Sequence, residues 1–322
     1  MRALVYDRYG PPETLRLEQE PQPRPRHDEV LVRVRACALN SWDWDLMVGT
    51  VMGRATAPFG PPHRTLGADI SGIVEEVGDG VTTLKPGDAV FGDLSEGNWG
   101  GLADLAMARA DMLARLPDGL DWIDAAALPQ AGSLALQALR KRPRLGPGER
   151  VLVNGAGGGV GTFAIQLAKS RGAHVTAVDR AEKRDSVLAL GADSFLDYLR
   201  TDFAAGPERY DLILDVVANR SAARYANCLN EGGNLVVIGG RVGSLLQVFA
   251  LGGLLGRRRR QRLELLIYRA SAADSAELAG LCLAGQLRPV IDGPYPLERG
   301  AAAMRRLGEG RAIGKVVIKP SA

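Results

Sequence analysis

One short run constrains this chain more than any other: Asn154-Gly155-Ala156-Gly157-Gly158-Gly159-Val160-Gly161. It follows the apolar stretch Arg150–Val153 and opens Gly159–Gly172, whose apolar residues recur at helical spacing. A strand feeding a helix through glycines is the dinucleotide-binding turn. Small residues let backbone N–H groups reach a pyrophosphate, and the helix start adds partial positive charge. Gly155, Ala156, Gly157, Gly158, Gly159, Val160 and Gly161 are therefore the expected phosphate cradle. Ala156 stands where the strict pattern has its first glycine, and is small enough to turn there.

The alternation continues. HVTAVD (174–179), SFLDY (194–198), YDLILDVV (210–217) and NLVVIGG (234–240) read as further strands, with helices between them. That order predicts βαβ units and a parallel sheet. Asp179 ends the second strand, 18 residues past Gly161, where a carboxylate can accept the ribose hydroxyls of NAD(H). Arg180, Lys183 and Arg184 follow and suit the extra phosphate of NADP(H). The residues leave the two cofactors open.

Before residue 121 the pattern is different. EVLVRVRACAL (29–39) alternates like a half-buried strand, LGADISGIVEEVGDGV (66–81) is β-rich, and Pro86-Gly87-Asp88 marks a turn. Residues 122–140 read as two helices separated at Pro129. The tail, with LRPVIDGPYPL, a helix over 298–308 and the strand GKVVIKP, returns to mixed structure, so the two ends of the chain are expected to share a domain. The expected division is 1–121 with 269–322, and 122–268.

Forty basic against 37 acidic residues leave a charge of +3, which gives no general pull toward nucleic acid. Three scattered cysteines exclude a disulfide framework. The N-terminal residues hold no apolar signal core, and no run is long enough to span a bilayer. A reduced, cytoplasmic protein is expected. Residues 244–268, apolar and then carrying RRRR at 257–260, are expected to form a structural element or lid rather than a peripheral membrane contact.

Taken in order, these motifs resemble the medium-chain dehydrogenase/reductase superfamily, in its zinc-independent quinone oxidoreductase (zeta-crystallin-like) branch. The resemblance rests on MRALVYDRYGPPETLRL (1–17), EVLVRVRACALNSWDWDLMVG (29–49), LGADISGIVEEVGDGVTTLKPGDAVFG (66–92), AALPQAGSLALQAL (126–139), VLVNGAGGGVGTFAIQLAK (151–169), LGAD (190–193), LDY (196–198) and GKVVI (314–318). It implies an α/β fold: a GroES-like β domain plus an inserted Rossmann doubly wound parallel sheet. It also implies a nicotinamide held in the cleft between the two, and a homodimer.

Zinc-bearing members use Cys, His and Cys at places that look like Asn40, Ala68 and Gln130 here. That replacement implies hydride transfer without a metal, to a small electrophilic substrate such as a quinone or an α,β-unsaturated carbonyl. An enoyl-thioester reductase and a non-catalytic dinucleotide-binding protein are the alternatives. Asn40, Asp43 and Trp44 are the candidate catalytic residues by resemblance, with helix capping weighed for Asp43 and core packing for Trp44. Tyr198, Val217, Ile238, Gly239, Gly240 and Lys315 join the cofactor set, Lys315 as a basic group near the pyrophosphate. Leu134 stands where relatives carry a threonine facing the nicotinamide.

Overall fold

The computed structural model describes residues 1–320, apart from the side chains of residues 56 and 258. The chain opens with the hairpin β1 (Arg2–Val5) and β2 (Arg16–Gln19), then β3 (Glu29–Ala38), α1 (Ser41–Val48), α2 (Val51–Thr56) and β4 (Asp69–Val77). Next come β5 (Ala89–Asp93), β6 (Leu105–Arg109), β7 (Leu113–Arg115), α3 (Trp122–Ala127) and α4 (Pro129–Arg140). The middle holds β8 (Arg150–Asn154), α5 (Gly159–Ser170), β9 (His174–Asp179), α6 (Arg184–Ala189), β10 (Ser194–Asp197), β11 (Tyr210–Asp215), α7 (Ala222–Asn227) and β12 (Leu229–Val237). The last part is α8 (Val242–Gly256), β13 (Arg262–Leu265), α9 (Ala272–Leu283), β14 (Ile291–Pro296), α10 (Gly300–Gly308) and β15 (Lys315–Lys319).

Two compact units result, one built from Met1–Ser133 with the chain from Arg269 onward, the other from Leu134–Tyr268. In the first, a sheet runs in the order β14-β15-β3-β4-β5-β7, with β6 also pairing β3. The C-terminal strand pairs antiparallel with β3, Val317 opposite Ala38 and Ile318 opposite Cys37, so the tail joins the main sheet of the first unit and the two ends of the chain share that unit. The inward side chains of β3 and β4, among them Val30, Val32, Val34, Ile70 and Val74, form its core.

The expected boundary at residue 121 falls earlier than the observed one. Helix α3 belongs to the first unit, because Ala126 and Ala127 pack on Ala36, Ala38 and Val317. Asp121 caps it, accepting from the N–H of Ile123 at 2.8 Å. Pro129 then starts α4 at its first position, where a missing N–H costs nothing.

The second unit is a six-stranded sheet in the order β10-β9-β8-β11-β12-β13, every neighbour parallel. Strands β8 and β11 at its centre carry continuous apolar segments, Val151–Val153 and Leu212–Leu214, that are fully buried, as parallel strands covered on both faces must be.

The stretch 244–268 is neither a loop nor a detached lid. It is most of α8 followed by the edge strand β13. Helix α8 is seated through a stripe one turn apart: Ser244, Val248, Gly252 and Gly256 are buried. A Cβ on Gly252 would stand 2.4 Å from the carbonyl oxygen of Leu263, so glycine is what lets helix and strand touch. The rest of the helix carries no charge, and leaves Leu246, Phe249 and Leu254 exposed. Arg257, Arg259 and Arg260 are exposed at the turn into β13, while the side chain of Arg258 lies outside those described.

Candidate functional site

In the second unit the glycine turn sits at the carboxyl end of β8, the end where ligands lie in parallel sheets. Gly155 and Ala156 donate their N–H groups to the carbonyl of Val178, which fastens the turn to β9. Gly157 donates to Asp179 Oδ2 at 2.8 Å. Gly159, Val160 and Gly161 form the first turn of α5, so their N–H groups have no carbonyl four residues back and remain donors for an anion.

Asp179 has a structural contact that its spacing alone does not reveal. Both of its oxygens accept from the chain itself, one from Gly157 and the other from the N–H of Arg180 at 2.8 Å. Lys183 is buried, with Nζ 3.7 Å from the same carboxylate. The carboxylate therefore holds the turn together. The outward basic group is Arg180, whose Nε donates to the hydroxyl of Tyr198 at 2.7 Å. Tyr198 is half-exposed, and Arg184 is exposed without contacting either residue in the described hydrogen bonds.

Val217 is exposed at the end of β11, with its N–H bound by Asp215. Ala218 and Gly240 form a parallel bridge, and Ala218 donates to the carbonyl of Gly239, which brings these two chain ends together beside Ile238. Leu134 is half-buried at the start of this unit.

The first unit gathers a second set. Asn40 is the residue before α1, and Asp43 lies three positions on. Asp43 accepts the N–H of Asn40 at 2.7 Å on one oxygen and the N–H of Gly67 at 2.8 Å on the other. It is fully buried, and burial pushes its carboxyl up to about 6. Capping is thus the visible work of Asp43. Asp43→Ala would leave two buried N–H groups without acceptors, and is expected to lower unfolding stability by about 3 kcal/mol in a urea titration. Trp44 packs on the core with its ring over Gly308 of α10, while Trp42 is half-exposed.

Lys315 is not a surface residue. It starts β15, is 2% exposed, and places Nζ 2.9 Å from Asp69 Oδ2 and against Asn40 Oδ1. Asn40 Nδ2 donates to the same Asp69 oxygen at 3.0 Å. The other oxygen of Asp69 accepts the N–H of Gln130 at 3.1 Å, and Gln130 Nε2 reaches Asp93 at 3.3 Å. Burial pushes the Asp69 carboxyl up to about 7, against the pull of Lys315.

The structure therefore joins Asn40, Gln130 and Lys315, which were singled out, with Asp69 and Asp93, which were not. A carboxylate opening the buried strand Asp69–Val77 was the available signal, since buried charges are paired or used. Ser133 Oγ is a further buried polar atom missed from sequence, and it has no hydrogen-bond partner among the described residues.

Comparison with known proteins shows the family. Residues 26–118 match the family of alcohol dehydrogenase GroES-like domains, and residues 190–318 match the family described as zinc-binding dehydrogenase. The chloroplast envelope quinone oxidoreductase homolog of Arabidopsis thaliana is 33% identical, over 99% of this chain and 98% of its own length. An NADPH-dependent alkenal/one oxidoreductase of the same plant is 32% identical, over 99% of this chain and 80% of its own. Among solved structures, the quinone oxidoreductase of Coxiella burnetii superposes with a TM-score of 0.89 at 29% identity, covering 100% of this chain and 99% of that one.

The zinc in the second family's description has no fitting donor set here. A catalytic zinc takes three N, O or S ligands from the protein. Ala68 offers none, Asn40 Oδ1 faces an ammonium, and the Gln130 amide is turned to Asp93. No group of three or more His, Cys, Asp and Glu suited to a metal exists among the described residues. His63 instead stacks on Trp99, ring centres 5.5 Å apart.

Proposed function

Because this chain belongs to the medium-chain dehydrogenase/reductase superfamily, among its quinone oxidoreductases, we propose that it reduces quinones or α,β-unsaturated carbonyls with a nicotinamide dinucleotide and without zinc. A bound dinucleotide supplies the hydride. The carrying observation is the pairing of a glycine turn that still presents free helix-start donors with a vacated metal position, now filled by amide, ammonium and carboxylate.

Alcohol oxidation needs a Lewis acid or a general base at the hydroxyl. Asn40, Ala68 and Gln130 offer no such group. An electron-poor acceptor needs less, because the charge it gains spreads to a carbonyl oxygen that a hydrogen-bond donor can hold. Asn40 is that donor, since its amide is anchored but keeps a second N–H. Gly159, Val160 and Gly161 hold the dinucleotide's phosphates through their backbone N–H groups. Val217, Ile238, Gly239 and Gly240 meet its nicotinamide end. Trp42 on α1 supplies an apolar face for the acceptor ring, whereas Trp44 serves the core. Arg180 and Tyr198 favour NADPH over NADH, their contact leaving the Arg180 Nη groups for a 2′-phosphate.

The test follows NADPH absorbance against a panel of quinones, enones, enoyl thioesters and aldehydes. Turnover with the first two, unaffected by a chelator, is expected. Acceptor-independent absorbance, or activity lost to chelation and restored by zinc, would sink the reading.

The finer features are proposals as well. A homodimer is favoured by the open edge of β13 beside exposed Leu246, Phe249 and Leu254, and light scattering should return twice the chain mass. No described helix is long and apolar enough to cross a membrane. Three free cysteines suit a reducing, cytoplasmic setting.

A further inference from the structure

A buried lysine paired with a buried aspartate is a costly device for stability alone, because desolvating both charges consumes most of what their attraction returns. Lys315 and Asp69 are 2% and 0% exposed. Three elements converge to bury them: the start of β15, the start of β4, and the junction of β3 with α1. The register between β15 and β3 and the bond from the N–H of Leu39 to the carbonyl of Val316 fix Lys315 beside Asn40.

The chemistry of these three side chains leaves the Asn40 amide one orientation. An ammonium only donates, so the atom facing Lys315 is the amide oxygen. Both oxygens of Asp69 accept, one from the N–H of Gln130 and the other from Lys315, so the atom facing Asp69 is the amide nitrogen. A flipped amide would set NH2 against ammonium and oxygen against carboxylate. Nδ2 carries two hydrogens, and the described contacts use one of them.

We infer that Lys315 and Asp69 are positioning residues for Asn40: they lock its amide so that the second Nδ2 hydrogen is presented to the substrate's carbonyl oxygen. This rests on the reading of Asn40 as donor given above. It gives Lys315 a role other than the pyrophosphate contact that the family resemblance implies, because its ammonium is committed inside the first unit.

Lys315→Met, Asp69→Asn, Asn40→Ala and the double variant N40A/K315M separate the roles, with the full chain assayed on a quinone and dinucleotide affinity read by fluorescence titration. Asn40→Ala is expected to lower kcat about 100-fold, the usual loss for one donor to a developing oxyanion. Lys315→Met is expected to lower kcat about 10-fold, since the amide remains but is no longer held. Dinucleotide Kd stays as in the parent, and the double variant is no slower than Asn40→Ala alone.

Additive losses in the double variant would overturn the positioning role, as would a raised dinucleotide Kd with kcat unchanged. Asp69→Asn keeps the volume and removes the charge. It carries the same comparison should Lys315→Met fail to fold, and full activity in it would count against the proposal. Unchanged turnover in Asn40→Ala would instead overturn the donor reading itself.

Discussion

Gly161→Val is expected to abolish dinucleotide binding. A Cβ at this position would lie 2.2 Å from the carbonyl oxygen of Gly155 and 2.6 Å from backbone atoms of Ala156. Those are main-chain atoms of the turn, and the turn is itself bound to Val178 of β9. It cannot yield without losing those bonds, so α5 must move outward. The donors at its start then no longer converge on one anion. Fluorescence titration should show no saturable binding of NADPH, and the overpacked contact should lower unfolding stability by about 2 kcal/mol. A parental dissociation constant would mean that phosphates are held elsewhere.

Arg180→Glu is expected to raise the KM for NADPH about 100-fold while changing that for NADH by less than about 3-fold, the loss being that of a charge-assisted hydrogen bond. The basis is the exposed guanidinium turned to Tyr198, at the end of β9 where the adenosine ribose lies in such sheets. Equal losses for both cofactors would show that Arg180 touches something common to them. Asp179→Ser is the companion variant. A carboxylate that only repelled the 2′-phosphate would make its removal improve NADPH use. Here the same carboxylate accepts from Gly157, so the substitution should weaken both cofactors together.

Much of this was legible before any coordinates. Strand β8 announces itself because a parallel strand buried on both faces carries a continuous apolar run, here Val151–Val153, and the glycines that follow admit few other uses. The helix break at Pro129 and the return of the tail to the first sheet were legible for similar reasons, since proline and β-branched runs act locally. Asn40, Ala68 and Gln130 could be aligned to a metal site by resemblance, which showed what had been lost but not what had replaced it.

Lys315 and Asp69 are 246 residues apart, and nothing local in either segment says that they meet. The second contact of Asp179 was hidden for a related reason. Its spacing from Gly161 was right, but a hydrogen bond to Gly157 across 22 residues decides which way the carboxylate points. The boundary of the first unit was missed because α3 reads as an ordinary alanine-rich helix. Its allegiance comes from small side chains that let it lie flat on Ala36 and Ala38.

The pairing of β15 with β3 has a consequence for biosynthesis. The parallel sheet can close once Tyr268 has emerged, so the inserted unit can fold while β14 and β15 are still inside the ribosome or not yet made. The flanking unit is completed later: β4 and β6 already pair with β3, but its end at Cys37 and Ala38 stays unpaired on one edge until the last strand arrives. During that interval chaperones have the most to protect. Because Lys315 arrives with that strand, a ribosome stalled before it would leave a nascent chain with a folded parallel sheet and with Asn40 and Asp69 lacking their buried ammonium partner.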